Sequence, residues 1–116
     1  MALKKVLIVE DSFLIAESLA QTVAAMGLDV VGRVNTADAA LRKIEEAAPD
    51  CVLLDVQLRG GDATNVADAL SERDVPFVVV TGYHRDTLPP VLRKAPYVAK
   101  PFKEAELIDA VSMACG

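Results

Sequence analysis

Five short, mostly apolar runs punctuate this chain at near-regular intervals: Val6–Val9, Leu28–Val34, Cys51–Leu54, Phe77–Val80 and Tyr97–Ala99. Each is too short for a helix and rich in residues that favour strands. The stretches between them have a different period. Leu14, Ile15, Leu19, Val23 and Met26 recur at helical spacing across 12–26, and Gly27 supplies a stop. Thr36 can cap a helix that carries Ala39, Ala40, Leu41 and Ile44 to Ala48, with Pro49 beyond it. Thr64–Glu72 reads as a short helix and Lys103–Ala114 as a final amphipathic one. Leu58-Arg59-Gly60-Gly61-Asp62 reads as a loop by its glycines.

Strands alternating with helices imply parallel pairing through right-handed crossovers. The predicted strands are 5–10, 28–34, 51–54, 75–81 and 97–100, each apolar enough to be buried on both faces. The 116 residues suit one domain, residues 1–116, with a single sheet. The expected architecture is α/β, a flavodoxin-like, doubly wound (βα)5 sandwich with strand order 2-1-3-4-5. Ligands on such a sheet bind at the carboxyl ends of strands one and three, where the winding reverses. One segment disturbs the pattern: "HRDTLPPVLRK", residues 84–94, holds Pro89-Pro90. A fourth helix there should be short, start at the prolines, or be irregular.

The strands end in polar residues. Strand one ends in Glu10-Asp11, strand three in Asp55, strand four in Thr81 and strand five in Lys100. Parallel strands put all these ends on one edge, so the topology gathers three acids, a hydroxyl and an ammonium into one crevice. Three close carboxylates repel, and a hard divalent cation relieves that repulsion. Asp11 and Asp55 can ligate Mg²⁺ (or Mn²⁺) directly, Glu10 through a water, and the Gln57 backbone carbonyl can complete the protein's share. Soft ligands are missing from the set, which disfavours zinc and copper. Beside a metal, Lys100 and Thr81 suit the remaining oxygens of a phosphoryl group, with Asp55 placed as the nucleophile that becomes an aspartyl phosphate.

Composition excludes other classes. A net charge of −5 provides no basic footprint for nucleic acid. No apolar run approaches the roughly 20 residues that cross a bilayer. Only four apolar residues lie between Met1-Ala2-Leu3-Lys4-Lys5 and Glu10, too few for a signal-peptide core, so a cytoplasmic site with no membrane contact is expected. The two cysteines, Cys51 and Cys115, fit no metal motif and are expected to be reduced thiols. His84, the only histidine, reads as a surface-loop residue.

Glu10-Asp11, Asp55, Thr81 and Lys100-Pro101 together resemble the signature of receiver domains of two-component response regulators, here of the single-domain kind. The resemblance covers essentially the whole chain. It implies that Asp55 takes a phosphoryl group from a phosphohistidine of a histidine kinase or histidine phosphotransferase. Asp11 and Asp55 would bind the metal, Thr81 and Lys100 would contact the phosphoryl group, and Lys100–Pro101 would be cis. It further implies that Tyr97 is a switch aromatic, read out by a partner on the face made by helix four, strand five and helix five. Gln57 and Tyr83, two residues after Asp55 and Thr81, would tune dephosphorylation. "PFVVVTGYH", residues 76–84, is similar to a variant receiver motif, with Val79 and Val80 where Phe and Ala would stand. Gly82 and the double proline both depart from the commonest pattern and bear on the helix-four switch.

Three other readings compete. An aspartyl-nucleophile phosphohydrolase wants an acid two residues after Asp55, where Gln57 stands. A flavodoxin-like flavin binder needs a phosphate cradle after strand one, where Glu10-Asp11 would repel phosphate. A receiver-like interaction domain that is never phosphorylated would have no need to keep all the site residues. The domain is expected to be no metabolic enzyme, only a module that catalyses its own phosphorylation and dephosphorylation.

Overall fold

A computed structural model describes residues 3–58 and 62–116. Met1, Ala2 and the centre of the expected glycine loop, residues 59–61, lie outside them. The elements are β1 (Lys5–Val9), α1 (Phe13–Ala25), β2 (Asp29–Val34), α2 (Ala37–Ala47), β3 (Cys51–Leu54), α3 (Ala63–Glu72), β4 (Phe77–Thr81), a 3-10 turn (Arg85–Thr87), α4 (Pro90–Arg93), β5 (Tyr97–Ala99) and α5 (Glu104–Cys115). The five strands form one sheet in the order β2-β1-β3-β4-β5, and every pairing is parallel. The doubly wound α/β fold expected from the alternation is the fold observed.

Local chemistry sets the element ends. The Ser12 and Thr36 side chains accept from the backbone N–H groups of Ile15 and Ala39 at the starts of α1 and α2. Gly27 follows α1 at φ +83°, a left-handed conformation that glycine adopts without steric cost. After α2 the same turn is made by Ala48, at φ 45°, and so carries a side-chain penalty. β4 starts at Phe77 rather than at Val75, because Pro76 has no N–H to give the ladder. Pro90 opens α4, which is a single turn of four residues. The double proline therefore shortens the fourth helix, as expected.

Strand periodicity divides the core. Leu7, Val9, Val52, Leu54, Phe77 and Val79 face α2, α3 and the short α4. Val6, Ile8, Leu53, Val78 and Val80 face the opposite way, against Leu19 and Val23 of α1 and Leu107 and Val111 of α5. Burial on both faces holds for β1, β3 and β4. It fails for the edge strands: β2 has no buried residue and β5 has one, Val98.

Cys51 shares the α5-facing parity of Leu53, and Cys115 continues the buried stripe of Leu107 and Val111. The two meet: Cys51 and Cys115 form a disulfide, with Cα atoms 5.5 Å apart and a sequence separation of 64. The expectation of two reduced thiols is thus corrected. It came from the rarity of disulfides inside cells, and it ignored that the strand and helix periods aim both side chains at one point.

Candidate functional site

The strand ends meet at the carboxyl edge, as the topology requires. The ladder continues one step past β1 and β3: the Glu10 N–H donates to the Val34 carbonyl at 2.9 Å, and the Asp55 N–H to the Val9 carbonyl at 2.8 Å. The Lys100 N–H donates to the Thr81 carbonyl at 2.9 Å, aligning the ends of β5 and β4. Glu10, Asp55 and Thr81 are buried polar residues in an otherwise apolar interior. Asp11 is half-buried.

Glu10, Asp11 and Asp55 each offer an oxygen, and these atoms lie within 4.8 Å of one another. The Lys100 ammonium stands 2.7 Å from Glu10 Oε1 and 3.3 Å from Asp55 Oδ2. The other carboxylate oxygens are tethered locally. Glu10 Oε2 accepts from the Ser12 N–H at 3.1 Å, and Asp55 Oδ1 from the Gln57 N–H at 3.2 Å. Glu10 Oε1 and Asp55 Oδ2 are buried, and apart from the Lys100 ammonium neither has a hydrogen-bond partner among the described residues. They face the ammonium and retain acceptor capacity, which is costly in an interior.

Burial pushes the Glu10 carboxyl from 4.5 up to about 7; the hydrogen bond from Lys100 opposes this, and the neighbouring Asp55 adds to it. For Lys100 burial disfavours the charge, but the hydrogen bond to Glu10 and the charges of Asp55 and Glu10 outweigh it, and its pKa is raised. A three-acid, all-oxygen donor set whose buried atoms keep spare acceptor capacity fits a hard cation such as Mg²⁺ or Mn²⁺. Glu10, Asp11 and Asp55 are the residues that would hold it.

Farther along the edge, the Tyr83 N–H donates to Thr81 Oγ1 at 3.2 Å and Gln57 Nε2 donates to the Tyr83 hydroxyl at 2.7 Å. The Tyr97 hydroxyl donates to the Tyr83 carbonyl. The sequence singled out Gln57, Tyr83 and Tyr97 one by one. No local pattern announces that they join, since Gln57 and Tyr83 are 26 residues apart. The Lys100–Pro101 peptide is cis. His84 stays outside the acid cluster, in an exposed pairing with Asp86.

With the strands in this order and the acids at the winding reversal, the molecule falls in the receiver class of doubly wound domains. The chain belongs to the response regulator family: a match to the response regulator receiver domain spans residues 6–112. The transcriptional regulatory protein PdtaR of Mycobacterium tuberculosis is 33 % identical over 115 residues, covering 96 % of this chain and 56 % of its own length. The chain thus spans about half the length of the curated relatives it matches. Among solved structures, SdrG from Sphingomonas melonis Fr1 superposes with a TM-score of 0.85 at 37 % identity, with 100 % of both chains covered. The BeF3-activated conformation of SdrG, given as from Pseudomonas melonis Fr1, superposes with a TM-score of 0.83 at 39 % identity, covering 99 % of this chain and 98 % of that one. As a receiver domain, the chain serves phosphorylation-switched signalling of the two-component type.

Proposed function

We propose that residues 1–116 act as one receiver unit in which Asp55 accepts a phosphoryl group from a phosphohistidine on a histidine kinase or phosphotransferase. An Asp55 carboxylate oxygen attacks phosphorus and a P–O bond forms. The P–N bond to the donor breaks, and the imidazole leaves with the electron pair and takes up a proton. The observation that carries this reading is the position of the Lys100 ammonium between two buried acids, 2.7 Å from Glu10 and 3.3 Å from Asp55.

Lys100 holds charge ready for the phosphoryl oxygens, and its strand-end position is fixed by the bond to the Thr81 carbonyl. The Thr81 hydroxyl is fully buried at the end of β4 and supplies a donor to the same group. The Gln57 N–H, already on Asp55, orients the nucleophile. Asp11 and Asp55 would hold Mg²⁺ or Mn²⁺ directly, Glu10 through a water, with the Gln57 backbone carbonyl completing the set; the cation would supply neutralisation of charge on the carboxylates and phosphoryl oxygens. Gln57 and Tyr83 flank the entrance and tune the rate at which water removes the phosphoryl group.

The switch aromatic is Tyr97, and readout uses the face of α4, β5 and α5, reduced here because α4 is a single turn. Phosphorylation and dephosphorylation are self-catalysed, with no metabolic substrate. The site of action is the cytoplasm, without direct contact with nucleic acid or membrane. Among the described residues no helix is long and apolar enough to cross a membrane. SdrG's solved BeF3-activated form supports the use of the same phosphoryl mimic here. Fluoroberyllate with Mg²⁺ should give a bound ¹⁹F signal and shift the amides around Asp55. An Asp55→Asn variant showing the same signal would overturn the reading.

A further inference from the structure

The Cys51–Cys115 bond takes no part in the phosphoryl chemistry, yet it ties the strand that leads to Asp55 to the last residue of α5. Its two sulfurs differ in access. Cys51 is fully buried, in a strand paired on both sides by β1 and β4. Cys115 is 4 % exposed and lines, with Met26, Leu28, Val111, Ser112 and Gly116, a depression of about 170 Å³. The same cysteine holds the end of the helix. Beyond Val111 it is the only buried residue of α5; Ser112 and Met113 are exposed and Ala114 is half-buried. The last turn carries no basic residue to favour its carbonyl end. A second depression, about 340 Å³, is lined by Met113 and Ala114 of that turn together with Phe77 and Pro96. The turn is thus fastened by one covalent bond more than by packing, with open space beside it.

We propose that Cys51–Cys115 is an exchangeable redox site for a small thiol of the glutathione class, entered at Cys115, whose opening releases the last turn of α5 and leaves the Asp55 site intact. The small thiolate attacks Cys115 Sγ and forms a mixed disulfide. The Cys51–Cys115 bond breaks, and Cys51 leaves with the electron pair and takes up a proton, because the apolar layer of Val6, Ile8 and Leu53 does not hold a thiolate. A second small thiol then attacks the sulfur of the first. The small-molecule disulfide forms, and Cys115 leaves and is protonated. With that disulfide as oxidant the exchange runs in reverse, so two electrons pass between the protein and one thiol–disulfide pair. An adduct on Cys115 has no room where the residue is buried, so the turn swings out with it. In the cytoplasm, the site of action in the reading on which this step rests, disulfides that form are as a rule transient and redox-sensing. Because α5 is one wall of the proposed readout face, the thiol state acts on that face independently of Asp55.

Oxidised protein, purified without reductant, is exposed to excess glutathione under native conditions, and free thiols are followed by maleimide labelling. The rate should rise in proportion to glutathione and stay level in urea below the unfolding transition, as exchange on the folded state requires. A rate that climbs with urea would mean that only the unfolded chain is reduced and would overturn the proposal. So would a bond that excess glutathione leaves intact. With glutathione disulfide, Cys115 in Cys51→Ser should react at least about tenfold faster than Cys51 in Cys115→Ser. Equal rates would overturn entry at Cys115. In reduced wild type, amides 113–116 should exchange at least about tenfold faster than in the oxidised form, and without dependence on urea, the mark of a local opening. Unchanged exchange there would overturn the release of the turn. Fluoroberyllate with Mg²⁺ should bind both forms alike. Binding lost only on reduction would overturn the independence of the two sites. Binding absent from both forms would overturn the phosphoacceptor reading and leave the exchange standing.

Discussion

The Lys100 ammonium sits 2.7 Å from Glu10 Oε1, a contact between residues 90 positions apart in the chain, Glu10 buried and Lys100 half-buried. Neither residue is comfortable there alone. Burial favours the neutral form of Lys100 and the protonated form of Glu10; together, with Asp55 beside them, they form a network poised between proton and cation as the neutralising partner.

The first expectation concerns pH. Glu10 in the folded protein titrates at about 7 against 4.5 as a free side chain. Between those values the native state holds a proton that the unfolded chain has released. Without divalent cation, unfolding free energy should therefore fall as pH rises through this window, by up to about 3 kcal/mol. Glu17, whose pKa is lowered mainly by its hydrogen bond from Arg33, acts with the opposite sign and below 4.5. Urea unfolding at about pH 5 and about pH 8 measures the slope, and Glu10→Gln should remove it. An equal slope in that variant refutes the assignment. Saturating Mg²⁺ should flatten the wild-type slope, since ligation takes the place of the proton.

Asp11→Ala should separate chemistry from fold. It removes one of three carboxylates within 4.8 Å while leaving the Lys100 contacts intact. Mg²⁺ affinity should drop by on the order of tenfold or more, since even indirect supports of a metal site are worth that much. Stability in the absence of metal should be unchanged or raised by about 1 kcal/mol, because a like charge has been deleted. Calorimetric Mg²⁺ titration decides it: unchanged affinity would mean the acid pair is not a metal site.

Reduction should destabilise the molecule without touching the site. The Cys51–Cys115 bond closes a loop with a sequence separation of 64 residues. Chain-entropy arithmetic gives up to about 4 kcal/mol for such a loop. Thiol titration of protein denatured without reductant should find no free thiol. Dithiothreitol, or Cys51→Ser with Cys115→Ser, should lower Tm by roughly 10 °C or more. Two free thiols in protein purified without reductant would restore the expectation drawn from composition.

Ala48→Gly should stabilise. Ala48 ends α2 at φ 45°, where a Cβ is penalised, whereas Gly27 makes the corresponding turn after α1 freely. The gain should be about 0.5–1 kcal/mol in urea unfolding, net of the greater freedom of glycine in the unfolded chain. A loss of stability would mean that the side chain of Ala48 contributes packing that outweighs its strain.

Much of this was legible from the chain alone, for identifiable reasons. The strand order followed from alternation, because parallel strands admit few windings. The meeting of Glu10, Asp11, Asp55, Thr81 and Lys100 followed from the order, because each ends a strand. Pro89-Pro90 announced a stunted α4. What escaped notice depends on two periods at once or on side chains crossing between loops. The disulfide needs the parity of β3 combined with the stripe Leu107, Val111, Cys115, spaced four residues apart. The Tyr83 junction needs the rotamers of Gln57 and Tyr97, which no spacing encodes. Burial of β2 was overread because edge position, not hydropathy, leaves it open.

The single turn of α4 has a consequence for how a signal is expressed. Between Thr81 and Tyr97 the backbone is held by the short-range bonds of a 3-10 turn and of that one helical turn, with Leu88, Leu92 and Ala95 as its buried anchors. A long helix reorients as a rigid rod; this segment has little cooperative structure to reorient. Its opening free energy should rest on these few buried side chains rather than on a ladder, which should place it at the low end of the molecule's local stabilities. Amide exchange in this segment should exceed that of the sheet, and a partner of the proposed activated state would read a change in local order rather than a change in the direction of a helix.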